Sequence, residues 1–299
     1  MKTILYATDC AKKSVPELKY AYRLSKAMNA EFHAVHVYDL MPIVTTTVRS
    51  RGVLQKNFEE EQHNILKTYC QKYLKKEEGY LQMNYHAVKS DSISEAIIKT
   101  ASKIDADLVI VGIKDPYSLR GIFTANIANE LMSSLHAPLL ILPDYALYED
   151  WSNLLYATDF EESDLHALER LVELAEPFNA QIEIVHIPRK GADYHDRKME
   201  WFKSMVSLRI PYTNIVFSSR RADDVETGLK QFIEKDHPEV LVMMERQRES
   251  FIEKLLHKDL VKTMEYDISI PLLVFNKKRI IRRPSEEIDR SMTETYALQ

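Results

Sequence analysis

The sequence ILYATD at residues 4–9 recurs as LLYATD at residues 154–159, at an offset of 150. An ungapped comparison of residues 4–37 with residues 154–187 finds 11 identities in 34 positions. Apolar residues also recur at helical spacing in both stretches, so the two stretches share the helical periodicity as well as the residue identities. Chance does not preserve both, and the pattern therefore predicts a duplicated domain.

Further along the chain the offset falls. DLVIV at 107–111 matches EVLVM at 239–243 with an offset of 132, and PLLIL at 138–142 matches PLLVF at 271–275 with an offset of 133. The second copy has therefore lost about 18 residues from its middle, since the offset drops from 150 to 132.

The duplication predicts two domains, residues 1–147 and a shortened, degenerate copy at 148–278, followed by a polar tail at 279–299. A net charge of −5 argues against a general nucleic-acid binder. No stretch approaches the roughly 18 consecutive apolar residues that span a bilayer. We therefore expect a cytoplasmic protein with neither a membrane nor a nucleic-acid partner. Cys10 and Cys70 are too few for a disulfide framework.

Each copy alternates apolar strand patterns with amphipathic helix patterns, which predicts an α/β fold with a parallel sheet and helices on both faces. With a strand order of 3-2-1-4-5, the direction of the sheet changes between the first and fourth strands. Ligands bind beyond the carboxyl ends of the strands at such a point. These ends carry Asp9 and Gly112 in the first copy, and Asp159 and Met244 in the second.

Four motifs give the chain a family resemblance: YATD after the first strand, VHV ending the second, VIVG ending the fourth and HAPLLIL at the fifth. With these motifs the sequence resembles the universal stress protein family in tandem form. The resemblance implies two Rossmann-like domains of the adenine nucleotide alpha hydrolase type, each with a five-stranded sheet. It also implies ATP binding through a loop reading G-x2-G-x9-G-[S/T] after the fourth strand. The binding residues implied for the first copy are Ala7, Thr8, Asp9, Val37, Gly112, Asp115, Ala125, Asn126 and Ile127.

The phosphate loop departs from that pattern in both copies. In the first copy Gly112 keeps the first glycine, but Asp115 stands at the second and Ala125-Asn126 replaces the final glycine and hydroxyl. Two like charges at ~4 Å repel by about 1 kcal/mol in water and by several times more in a less polar cleft. Asp115 therefore disfavours phosphate. The second copy retains none of the loop residues and has Met244, Gln247, His257 and Lys258 at the matching places.

Three functions follow as hypotheses. The first is a non-enzymatic stress-response scaffold or regulator with at most degenerate nucleotide binding in the first copy. The second is an ATP-binding sensor with slow hydrolysis in that copy, and the third is a binder of another small ligand at the same crevice. The sequence predicts neither catalytic nor metal-binding residues. We also expect an internal pseudo-dimer that pairs Leu139–Leu142 with Leu272–Phe275, while a homodimer of whole chains stays open.

Several of these residues also have purely structural interpretations. Asp9 and Asp159 are placed to cap the helices that follow them. His36 and His186 recur at equivalent positions, which favours packed, hydrogen-bonded side chains over catalytic ones. Cys10 is interpreted as a small buried side chain, with a reactive thiol beside a helix N-terminus as the alternative.

Overall fold

The computed structural model describes residues 2–39, 51–77, 82–113, 125–143, 146–188, 195–245 and 270–280. The elements of the first half are β1 (Thr3–Ala7), α1 (Val15–Ala27), β2 (Glu31–Tyr38), α2 (Arg51–Leu74), β3 (Met83–Lys89), α3 (Ile93–Lys103), β4 (Leu108–Gly112), α4 (Ala125–Ser134) and β5 (Leu139–Leu142). Those of the second half are β6 (Asn153–Ala157), α5 (Glu162–Ala175), β7 (Gln181–His186), α6 (His195–Arg209), β8 (Ile215–Ser219), α7 (Val225–Asp236), β9 (Val240–Glu245) and β10 (Leu272–Asn276).

Within the described residues the strands form one ten-stranded sheet in the order β3-β2-β1-β4-β5-β10-β9-β6-β7-β8. Each half contributes five parallel strands in the predicted order 3-2-1-4-5, which confirms the α/β fold class. The two halves meet where β5 pairs antiparallel with β10, with Leu140 opposite Leu273. The fifth strands of the two halves therefore lie side by side in the sheet.

The duplication is visible in the backbone conformation as well as in the amino-acid sequence. Six described non-glycine residues have positive φ, a conformation that costs an L-residue roughly 1 kcal/mol or more. They fall into three pairs at the offsets of the repeat, so both halves turn at the same places although the side chain has changed in two of the three pairs. The pairs are Cys10 with Phe160 (58° and 59°), Asn29 with Asn179 (50° and 50°), and Asp105 with His237 (49° and 42°).

The sheet is covered on both faces. Strand side chains on one face of the sheet pack in one apolar cluster with α1, α2, α5 and α6. Those on the other face pack in a second cluster with α3, α4 and α7. The first cluster runs across both halves: Trp151 is fully buried there, and its Nε1–H donates to the Tyr20 hydroxyl at 3.2 Å. Asp107 and Arg170 add an ion pair between the halves at 3.6 Å. These contacts tie the two halves together beyond the β5–β10 pairing.

About half of the difference in length between the halves lies in the helix that follows the second strand, 9 of about 18 residues. α2 has 24 residues and α6, its counterpart, has 15. The second-half helix expected near residues 250–264 lies outside the described residues. Among the helices that are described, none is both long and apolar enough to cross a membrane.

Candidate functional site

The change in sheet direction places the carboxyl ends of β1 and β4 next to each other. Ala7 lies opposite Val111 in the register, and Asp9 and Gly112 follow these residues at the same edge of the sheet. α4 begins at Ala125 after the connection from β4, so its N-terminus faces this edge. We call this region the first crevice. The equivalent edge, at the carboxyl ends of β6 and β9, is the second crevice.

Thr8 is buried at the end of β1, and its polar groups form hydrogen bonds within the protein. Its N–H donates to the Val35 carbonyl at 2.9 Å, and its hydroxyl accepts the Cys10 N–H at 3.1 Å. Its carbonyl accepts from His36 Nδ1 at 3.0 Å. Ala7 and Val37, two further residues implied by the resemblance, are buried in the apolar cluster on the α3 side. These residues shape the crevice and offer it few polar groups.

Asp9 lies at the opening and turns toward the helix that follows it. Its Oδ1 accepts the N–H of Ala11 at 2.9 Å and the hydroxyl of Ser14 at 2.6 Å. An Asp that accepts the N–H two residues on stabilises a local turn. This oxygen therefore holds a local turn and does not provide the expected cap, because the N-cap residues are Ala11 for the 3-10 turn at Lys12–Ser14 and Ser14 for α1.

Glu17 is a carboxyl group that the sequence analysis missed. It lies in the first turn of α1 with only 1% of its surface exposed. A Cβ built on Gly112 would come within 2.8 Å of its Cγ and 3.3 Å of its Oε1. A side chain at 112 would therefore have to displace the Glu17 side chain. The available signal was a charged residue on the buried face of α1, where the repeat has Ala167.

The hydroxyl group of Tyr6 is buried in the same region. Burial raises the pKa of the Tyr6 hydroxyl well above its usual range, and the neighbouring Tyr69 and Glu17 raise it further. The hydroxyl donates to the Ser14 carbonyl at 3.2 Å. Tyr6 therefore stays a neutral donor that supports the start of α1.

The N-terminal turn of α4 brings two more predicted residues to this edge. Asn126 is exposed, whereas Ile127 is half-buried and packs against the apolar cluster on the α3 side. The first N–H groups of a helix have no partner within the helix, so this turn favours an acceptor or an anion. Asp115 and the side chain of Ala125 lie outside the described residues.

The second crevice has the same backbone and a different polar network. Asp164 is 0% exposed and accepts from three donors: the Tyr156 hydroxyl at 2.9 Å, the Thr158 hydroxyl at 2.7 Å and the Glu161 N–H at 2.9 Å. Asp159 is 61% exposed and lies 3.7 Å from His186 Nδ1. The expectation that Asp159 caps α5 is wrong, because Glu161 precedes the helix and bonds to Asp164.

The histidine prediction is confirmed in both halves. His186 Nδ1 lies 2.8 Å from the Thr158 carbonyl, as His36 does from that of Thr8. The His186 ring also lies 4.7 Å from that of Phe160. Both histidines link the second strand to the end of the first and act as packing residues.

The two cysteines near this edge have raised pKa values. Burial raises the pKa of the Cys10 thiol to about 12, and the nearby Cys70 and Asp9 act in the same direction. The pKa of Cys70 also rises to about 12 through burial. Since the thiolate is the reactive form, Cys10 is a poor nucleophile near neutral pH. No group of three His, Cys, Asp or Glu side chains placed to hold a metal occurs in the part of the chain that the structure describes.

Comparison with known proteins gives consistent results. Residues 1–143 match the model of the universal stress protein family. A universal stress protein of Methanocaldococcus jannaschii is 27% identical over 146 residues, which is 47% of this chain and 81% of that protein. The crystal structure of a universal stress protein from Archaeoglobus fulgidus covers 92% of this chain and 98% of its own, with a TM-score of 0.64 and 13% identity, and so shows the same fold. Another universal stress protein, solved in complex with cAMP, matches 48% of this chain and 97% of its own at 19% identity and a TM-score of 0.36.

Proposed function

Because the chain belongs to the universal stress protein family, we propose that it is a non-enzymatic regulator of the stress response whose first half keeps a crevice for a small ligand. The observation that carries this proposal is the use of Thr8 and Asp9 to hold their own turn. Thr8 engages Val35, Cys10 and His36, and one oxygen of Asp9 engages the start of α1.

The same contacts argue against catalysis. A nucleophile needs an adjacent base and an activated form. Cys10, with a pKa of about 12, is held as a thiol, and His36 Nδ1 is directed at a backbone carbonyl. The described residues of the crevice thus supply shape more than chemistry, which suits a protein that binds a ligand without converting it.

An ATP-binding sensor with slow hydrolysis is the second candidate. It is favoured by Gly112, which keeps the end of β4 free of a side chain, and by the exposed first turn of α4 with Asn126. A helix N-terminus at the carboxyl edge of a parallel sheet is suited to a phosphate. The loss of the other loop glycines, read from the sequence, weighs against this candidate.

Titration calorimetry of the full chain with ATP, together with a phosphate-release assay, separates the two. The regulator predicts no saturable heat below millimolar ATP and no phosphate release above the buffer blank. It also predicts that Asp9→Asn behaves like the unmodified protein in both assays. Saturable binding at micromolar ATP, or turnover that Asp9→Asn abolishes, would establish the sensor instead. Native mass spectrometry of the purified protein would detect a different small ligand retained in the crevice.

A further inference from the structure

The two halves differ at one pair of facing positions in the crevice. In the first half a buried carboxyl group, Glu17, lies against Gly112. At the offsets of the repeat, 150 and 132, the second half has Ala167 and Met244 instead, and both are buried in the apolar cluster on the α5 side. One half therefore places a carboxyl group where the other places a thioether side chain.

We propose that Glu17 determines the ligand selectivity of the first crevice: it excludes an anionic group from the end of β4, so that the crevice takes an uncharged ligand in preference to a phosphorylated one. This inference rests on the proposed function, in which the first crevice binds a small ligand. It adds the residue that selects the ligand and the class of ligand selected.

The position of Glu17 explains how it excludes an anion. The N-terminal turn of a helix favours negative charge, because its N–H groups point outward and its dipole is positive at that end. Glu17 lies in this turn of α1 and reaches the end of β4, so its carboxyl group already occupies the N-terminal turn that would favour a ligand anion. A phosphate at the end of β4 would therefore lie over this buried carboxyl group.

The argument holds for either protonation state of Glu17. An ionised carboxylate offers only acceptors, and a protonated one offers a single O–H donor. Phosphate oxygens need several donors. The ionised form adds repulsion, which is stronger in a cleft that is less polar than water. The carboxyl group therefore opposes the anion preference of the nearby α4 N-terminus.

The second half also shows that the fold does not require this carboxyl group. Ala167 occupies the position of Glu17 on α5, and α5 packs on the sheet as α1 does. Because this core position holds alanine in one half and glutamate in the other, the fold does not depend on the carboxyl group. We therefore expect Glu17 variants to fold.

The test compares ATP with adenosine as probes, since the two differ only in the phosphates. Glu17→Gln, which keeps the shape, and Glu17→Ala, which copies the second half, are titrated beside the unmodified full chain. Glu183→Gln is the matched control, because Glu183 is also a buried carboxyl group but lies on β7 in the second half. Both Glu17 variants are expected to bind ATP at least about tenfold more tightly, with unchanged adenosine affinity, and the control is expected to change neither.

Each other outcome has a defined meaning. Folded Glu17 variants whose ATP affinity equals that of the unmodified chain overturn the selectivity role. So does an equal gain for adenosine, which would indicate a larger cavity. Loss of folding in both variants, seen by circular dichroism, would make Glu17 a structural residue and would also overturn it. ATP turnover by the unmodified chain would overturn the proposed function, whatever the variants do.

Discussion

The two crevices of this chain share a backbone and differ in what lines it. In the first, Asp9 supports the turn from outside α1 and Glu17 lies beneath Gly112. In the second, Asp164 supports the turn from inside α5, and Ala167 and Met244 stand at the other two positions. The comparison teaches that the strand-to-helix turn can be stabilised in two ways, and that only the first half places a carboxyl group at the end of the fourth strand. Four predictions test it, the largest expected effect first.

Replacement of Asp164 by alanine should destabilise the protein most. It removes the common acceptor of Tyr156, Thr158 and the Glu161 N–H, and each buried donor left without a partner costs about 1–3 kcal/mol. We expect a loss of about 4 kcal/mol, allowing for partial relaxation, as measured by urea unfolding. A loss below that of the matched first-half variant, Ser14→Ala, would show that the second network is not the stronger one.

Gly112→Met should destabilise by about 2 kcal/mol, because its side chain would enter the space that Glu17 fills. The double variant Glu17→Ala/Gly112→Met reproduces the pair found in the second half and should recover most of that stability. Thermal unfolding of the single and double variants measures the coupling between the two positions. If the two effects simply add, the two positions are not a size-matched pair.

Acidification should act on the first half through a histidine pair that the second half lacks. His33 Nδ1 lies 2.9 Å from His86 Nε2, and His33 Nε2 lies 3.3 Å from Glu31 Oε2. Burial, together with the neighbouring His33, Lys103 and His63, lowers the pKa of His86 from 6.5 to about 4. Glu183 and Ser218 replace the pair in the second half.

For His86 the direction in which stability changes with pH follows from proton uptake. The unfolded chain binds this proton more readily, so stability is complete above pH 6.5 and falls as the pH drops toward about 4. His86 is partly exposed, so solvent screening reduces the expected loss to about 1 kcal/mol. Urea midpoints across this range should flatten in His86→Gln, and an unchanged slope would exclude the pair as the cause. Hydrogen exchange should locate the acid-induced loosening at β3.

Ser14→Ala should have the smallest effect, about 1 kcal/mol, because it removes one hydrogen bond from Asp9 and leaves the Ala11 N–H in place. Thermal unfolding measures it, and Ser204→Ala on the exposed face of α6 is a control that should change little. A loss as large as that of Asp164→Ala would mean that the first turn also depends on a single network.

Capping illustrates how far local sequence signals reach. The sequence Ser92-Ile-Ser-Glu95 has the spacing of a capping box. Ser92 accepts the Glu95 N–H, but the reciprocal bond is absent, since the Ser92 N–H donates to the Ser90 hydroxyl and Glu95 pairs with Lys99. The pattern identified the helix start correctly and one of its two bonds. The competing partner, Ser90, belongs to the loop after β3, whose path is set by the sheet.

The sequence alone determined the duplication, the alternation of strands and helices, the location of the crevice and the loss of its glycines, because repeats and hydrophobic periods are local properties of the chain. Only the tertiary structure decided that Glu17 faces Gly112, that Asp9 turns toward Ser14 and that Asp164 takes over in the second half. A helical period states which face of α1 is buried but not which strand end lies opposite it. That depends on the packing of elements far apart in the chain, where the size of one side chain determines the space left for another.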